Sequence, residues 1–203
     1  MARVKICGLT NVEDALACVA AGADAIGLNF AAASPRRISM DVARSIVAAL
    51  PGHVLSVGVF VDASEAELRE TIARVGVQCL QLHGDETPEL VAAFLPHAYK
   101  ALRVRGPDVL AQAASYPGEH LLLDGYVPGL AGGTGATFDW ALAAELARSR
   151  KITLAGGLTP DNVAHAVREV RPFCVDVASG VEFAPGRKDI GKVRAFIAAA
   201  ARG

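Results

Sequence analysis

This chain has no excess of charge of either sign. Twenty lysines and arginines stand against 21 aspartates and glutamates, a formal net charge of −1. That balance points to no nucleic-acid surface and no polybasic membrane contact. Long apolar runs are missing too. None reaches the roughly 18 residues of a membrane span, and the N-terminus has no signal-peptide core, so a soluble, cytoplasmic protein is expected. Cysteine is scarce: Cys7, Cys18, Cys79 and Cys174 are the whole set. None belongs to a C-x-x-C pair or stands at metal-finger spacing with histidine, which removes a disulfide framework and a zinc finger, and no metal is expected. At least three of the four read as small buried hydrophobes. No linker, low-complexity tract or strong internal repeat breaks the chain. One domain over residues 1–203 is expected, with 52% hydrophobic residues to build its core.

What is present is an alternation. Short β-branched runs occupy 3–7, 24–30, 53–61, 77–83, 97–104, 120–124, 151–157 and 173–179. Segments of helical period follow each of them, at 11–21, 40–50, 64–75, 87–94, 107–115, 139–148, 160–170 and 189–201. The strand runs are continuously apolar, as strands buried on both faces are. Eight such units in about 200 residues predict an α/β fold, a (β/α)8 barrel near its lower size limit. A doubly wound open sheet is the alternative, and a G-x-G-x-x-G after the first strand, which would favour a dinucleotide-binding version of it, is lacking.

A barrel places its chemistry at the C-terminal strand ends. The polar residues there are Cys7, Asn29, Asp62, His83, Arg103, Asp124 and Asp176. Two loops suit an anion. LAGGLTPDNV (154–163) sets Gly156 and Gly157 after strand seven, with Thr159 as a helix N-cap and Pro160 at the first helical position. ASGVE (178–182) sets Ser179, Gly180 and Val181 after strand eight. Glycine backbone N–H groups turned toward a phosphate explain both, and a small phosphorylated substrate is expected. The plainer explanation is tight turns.

Cys7 can act as a base if its surroundings lower its thiol from about 8.5; position alone favours a packing role. Asp124 can donate a proton if kept neutral, or can cap the glycine-rich loop after it. Arg36 and Arg37, in SPRRIS (34–39), offer a planar clamp for a carboxylate, with at least one of them a solvated charge. His83, in QLHGDE (81–86), reads as a hydrogen-bonded scaffold residue. Asp176 faces the barrel mouth or its layered interior, with substrate contact favoured.

With these residues in view, the chain resembles the phosphoribosylanthranilate isomerases of tryptophan biosynthesis from Val4 to about Asp189. The motifs are KICGLT (5–10), GADAIGLNF (22–30), SPRRIS (34–39), VGVFV (57–61), QLHGDE (81–86), LLLDG (121–125), GGTGATFDW (132–140), AGGLTPDNV (155–163) and VDVASGVE with PGRKD (175–189). Each is modest alone; their order and spacing together are specific. The resemblance implies a cofactor-free Amadori rearrangement of N-(5-phosphoribosyl)anthranilate, with Cys7 as general base, Asp124 as general acid, Arg36 on the anthranilate moiety and the glycine loops on the phosphate. Three departures stand out: Arg37 where the family often has an aromatic, Ala136 in place of a frequent lysine, and NFAAASP without a common proline. The histidine-pathway isomerase, which runs the same rearrangement, pairs two aspartates and would end its first strand in Asp rather than Cys7. A phosphate-binding module without turnover is the rival from another class. Monomer and homodimer both remain open.

Overall fold

The computed structural model of the chain describes residues 1–125 and 139–203. Eight parallel strands close into a barrel in sequence order, and the eighth pairs with the first. They are β1 (Arg3–Cys7), β2 (Ala25–Asn29), β3 (Leu55–Phe60), β4 (Cys79–Leu82), β5 (Ala98–Arg103), β6 (His120–Asp124), β7 (Lys151–Ala155) and β8 (Cys174–Val177). The helices are α1 (Val12–Ala20), α2 (Met40–Ala49), α3 (Glu65–Val75), α4 (Pro88–Ala92), α5 (Asp108–Ser115), α6 (Trp140–Ala147), α7 (Val163–Val170) and α8 (Ile190–Ala200). Each strand precedes a helix, which is the expected (β/α)8 architecture. Among the described residues no helix is long and apolar enough to cross a membrane.

Local chemistry starts the helices where the sequence predicts. Asn11 accepts the Asp14 N–H at 2.7 Å, Ser64 and Glu67 form a reciprocal capping box, and Thr87 caps α4 with Pro88 in the first turn. Strand seven differs in length. The apolar run to residue 157 ends as a strand at Ala155, because Gly156 and Gly157 take φ of +86° and +66° and leave the extended region. The following helix differs in its start. It begins at Val163 rather than Pro160, with Asn162 at its N-cap, and Thr159 Oγ1 accepts the Asp161 N–H inside a turn. Residues 160–162 form a turn ahead of it, in which the Thr159 carbonyl accepts the Asn162 and Val163 N–H groups at 3.3 and 3.1 Å. A short hairpin, β9 (Glu182–Ala184) with β10 (Arg187–Lys188), was also not anticipated; it follows a single 3-10 turn at Ser179–Val181.

Two cores result from strand alternation. Outward residues such as Val4, Ile6, Ile26, Leu28, Leu121 and Leu123 pack against the helices. A smaller cluster fills the barrel itself: Ala25, Val57, Tyr99, Ala101, Leu122 and Ala155. Three of those six are alanines. Their small side chains leave the interior room for long polar ones, and Lys5, Gln81, Thr153 and Asp176 are all buried there.

Candidate active site

At the C-terminal mouth of the barrel lies a cavity of about 440 Å³. Eight of the residues singled out in the sequence line it: Cys7, Arg36, Asp124, Gly156, Gly157, Asp176, Ser179 and Gly180. They come from β1, β6, β8 and the loops after β2, β7 and β8, so only barrel closure brings them together.

Cys7 ends β1 facing inward, 9% exposed. Gly27 on the neighbouring strand makes its place: a Cβ there would stand 2.6 Å from Cys7 Sγ. Two residues earlier on the same face, Lys5 Nζ donates to Asp176 Oδ2 and to Gln81 Oε1, both at 2.9 Å. Burial alone would pull the Lys5 ammonium down, but Asp176, Cys7 and Tyr99 more than offset it and hold Lys5 well above its ordinary value. Lys5 is therefore a fixed positive charge below the thiol. The Cys7 thiol itself is pushed up, so the lowering on which its use as a base was made conditional is not found. Burial is the largest cause; Lys5 and Lys188 pull the other way, and Asp176 adds to the rise. In this pocket desolvation of a thiolate outweighs the two ammonium groups.

Asp124 ends β6, and His83 Nε2 lies 3.1 Å from its Oδ2. Gly156, at positive φ, lets the β7 loop close over that carboxyl: a Cβ there would lie 2.6 Å from Asp124 Oδ1. The loop beneath His83 is held by one buried carboxylate. Glu86 accepts the Asp62 and Gly84 N–H groups and pairs with the buried Lys100 at 3.1 Å. The GGTGATF segment and Ala136, and with them a capping role of Asp124 toward that loop, lie outside the described residues.

Arg36 reaches the cavity and Arg37 does not; Arg37 is exposed and lines a cleft beside Phe30 and Phe60. The Arg36 fork is already half used. Its Nε donates to Glu182 Oε1 at 2.9 Å and its Nη2 to Glu182 Oε2 at 2.6 Å, whereas Nη1 takes no partner among the described residues. The planar clamp therefore offers an incoming carboxylate its remaining edge, held in orientation by the glutamate. Glu182 also accepts from Lys188 Nζ at 2.8 Å, and Lys188 donates on to the carbonyls of Cys7 (2.6 Å) and Ala178 (3.2 Å). The β9–β10 hairpin thus ties the open ends of β1 and β8 to Arg36. Glu182 sits below its ordinary value: burial raises it, and the bonds from Arg36 and Lys188 outweigh burial. Because Lys188 is fully buried, Glu182→Gln removes the partner of a buried charge. Stability should fall by about 3–5 kcal/mol, read as a lower denaturation midpoint at neutral pH; an unchanged midpoint would show that the cluster is not coupled to the fold.

The two glycine loops meet on the other side of the cavity. Among the described residues the N–H groups of Gly157, Ser179 and Gly180 meet no protein acceptor, so they stand available to an anion. Beside the loops, Asp176 Oδ1 is buried without a hydrogen-bond partner among the described residues while its Oδ2 holds Lys5. An acceptor in that state suits a ligand hydroxyl.

Four contributors escaped the sequence reading: Lys5, Gln81, Glu182 and Lys188. Lys5 and Gln81 did leave a signal, as the polar interruptions in otherwise apolar strand runs. Glu182 and Lys188 lie inside motifs quoted above, but nothing local says that they turn back on Arg36 and Cys7.

Known proteins resemble this chain over nearly its whole length. A family model described as N-(5'phosphoribosyl)anthranilate (PRA) isomerase matches residues 4–199. The N-(5'-phosphoribosyl)anthranilate isomerase of Pseudomonas aeruginosa strain LESB58 is 54% identical over 197 residues, 96% of this chain and 93% of that protein. The crystal structure of phosphoribosyl anthranilate isomerase from Thermotoga maritima is similar at a TM-score of 0.91 and 42% identity, covering 99% of each chain. A crystal structure of such an isomerase in complex with reduced 1-(o-carboxyphenylamino)-1-deoxyribulose 5-phosphate is similar at a TM-score of 0.87 and 40% identity, again over 99% of each chain.

Proposed function

The chain belongs to the N-(5'-phosphoribosyl)anthranilate isomerase family of tryptophan biosynthesis, and on that premise we propose how its own residues run the reaction. The enzyme converts N-(5'-phosphoribosyl)anthranilate to 1-(2-carboxyphenylamino)-1-deoxyribulose 5-phosphate by an Amadori rearrangement. In this proposal residues 1–203 act as one catalytic domain and the side chains do the chemistry without a cofactor.

The phosphate sits on the N–H groups of Gly156, Gly157, Ser179 and Gly180, and the anthranilate carboxylate on the outer edge of Arg36. Anchoring both ends of the sugar turns binding energy into orientation. Asp124 gives a proton to the furanose ring oxygen as the C1–O bond breaks, and the anthranilate nitrogen lone pair forms a C1=N iminium. Cys7, as thiolate, then removes the C2 proton, and that electron pair neutralises the nitrogen to give an enolamine. Loss of the 2-hydroxyl proton and return of a proton to C1 complete the amino ketone. Asp176 Oδ1 accepts a sugar hydroxyl, and Lys5 supplies the charge that steadies the thiolate. The observation that carries the proposal is the convergence of thiol, carboxyl, Arg36 and both glycine loops on one cavity.

The test is a fluorescence assay of N-(5'-phosphoribosyl)anthranilate generated in the cuvette. Enzyme-dependent decay is expected; binding without decay would mean a module that holds the ligand and does no chemistry. Arg36→Ala should raise KM by about 10- to 100-fold, the loss of charge-assisted hydrogen bonds worth about 1.5–3 kcal/mol, with kcat nearly unchanged. A drop confined to kcat would move Arg36 from substrate anchoring to the chemical step.

A further inference from the structure

The barrel interior holds a chain of hydrogen bonds that leads from one side of the cavity to the other, with Gln81 at its centre. Gln81 is 2% exposed. Its Oε1 receives Lys5 Nζ at 2.9 Å and the Tyr99 hydroxyl at 3.0 Å. An ammonium has three donors and no acceptor, so the side-chain nitrogen of Gln81 cannot take that position. Its amide is therefore locked, with Nε2 pointing at His83 Nδ1, 3.1 Å away. An amide nitrogen only donates; a proton on Nδ1 would face it donor to donor. His83 must then carry its proton on Nε2, the atom 3.1 Å from Asp124 Oδ2.

We infer that Gln81 is a positioning residue for this reaction, fixing the His83 tautomer so that Nε2–H donates to Asp124 Oδ2 and leaves Oδ1 to carry the proton delivered to substrate. The consequence rests on the reading of Asp124 as the acid; the tautomer does not. Two benefits follow for proton transfer. His83 cannot take the carboxyl proton through Nε2, which is already occupied, so the proton stays with Asp124 until the ring oxygen receives it. Once it has left, the same Nε2–H stabilises the carboxylate formed. Lys5 acts on both ends of the cavity in this scheme: its charge lies below Cys7, and its hydrogen bond orients the amide that orients His83. Among the described residues the fixed arrangement needs no other group to set the tautomer.

The experiment is nitrogen NMR of the His83 ring in the intact enzyme, with Gln81→Glu as the contrasting variant. The parent should show a pyridine-type Nδ1 and a pyrrole-type Nε2. Gln81→Glu still accepts from Lys5 and Tyr99 but presents an oxygen to Nδ1, so Nδ1 should become pyrrole-type. Its kcat should fall by about 10²-fold, the scale of a misplaced reacting group, with KM within a few-fold of the parent. A pyrrole-type Nδ1 in the parent would overturn the inference without need of any variant, so failure of Gln81→Glu to fold does not protect it. Parental kcat in a Gln81→Glu enzyme whose tautomer has switched would overturn it as well. Asp124→Asn, measured alongside, separates the two claims: full activity there removes Asp124 as the acid, while the ring spectrum still decides whether Gln81 sets His83.

Discussion

Cys7→Ala lowers kcat by about 10²- to 10⁴-fold, the range for a lost general base, and leaves KM near that of the parent. The expectation follows from where the sulfur is. It ends β1 inside the cavity, in space that Gly27 leaves clear, with no other thiol lining that cavity. The Lys5–Asp176 pair beneath it is bonded independently of sulfur, so the variant should fold, and a thermal midpoint close to the parent's will show that it has. Cys7→Ser should lose nearly as much, since a hydroxyl is far harder to ionise than a thiol. The pH profile adds a second reading. Burial raises the Cys7 thiol above its ordinary value, and only the thiolate removes a proton. For a thiol whose ionisation is shifted upward, the thiolate fraction must climb as pH rises through this range. The rate of Cys7 alkylation by iodoacetamide should therefore increase from about pH 7 to beyond about pH 9, close to tenfold per pH unit at the start. A flat alkylation profile over that range would contradict the raised thiol, and a Cys7→Ala enzyme turning over at the parental rate would falsify the assignment of the base.

Asp124→Asn should be about as damaging, a loss of about 10²- to 10⁴-fold in kcat. Asparagine is nearly the same shape and can still accept the His83 Nε2–H through its oxygen, so packing against Gly156 and the bond to His83 survive. What disappears is a transferable proton for the ring oxygen. The loss should thus fall on kcat, and the product analogue of the reaction should bind as before. If an Asp124→Asn enzyme instead lost affinity and kept its turnover, Asp124 would belong with the sugar-binding residues and the proton would have to come from elsewhere.

Most of the scaffold was legible in the chain. Eight apolar strand runs and eight amphipathic segments are local patterns, and each reports on its own element through strand alternation or helical period. Cys7 and Asp124 were legible for a related reason: a polar residue at the end of an apolar strand stands at the mouth of a barrel wherever that strand falls in the ring. The start of α7 was misjudged because Thr159-Pro160 carries the local chemistry of a helix start, while Asn162 Oδ1 captures the Thr159 N–H and its Nδ2 the Gly157 carbonyl, folding the segment into a turn first. The ionisation of the Cys7 thiol was not legible, because it depends on how completely other strands seal it.

Periodicity and strand-end chemistry, then, are enough to write down a (β/α)8 barrel and to name eight residues around its mouth, because they depend on neighbours a few positions away. The state of those residues depends on groups far along the chain: Glu182 on Arg36, Lys188 on the Cys7 carbonyl, Lys5 on Asp176 and Gln81, His83 on Asp124. Such partners are separated by up to 181 residues and meet only because β8 closes on β1. Charge and hydrogen bonding act through space, and a buried group's desolvation is set by everything packed around it, so no stretch of sequence taken alone contains that information.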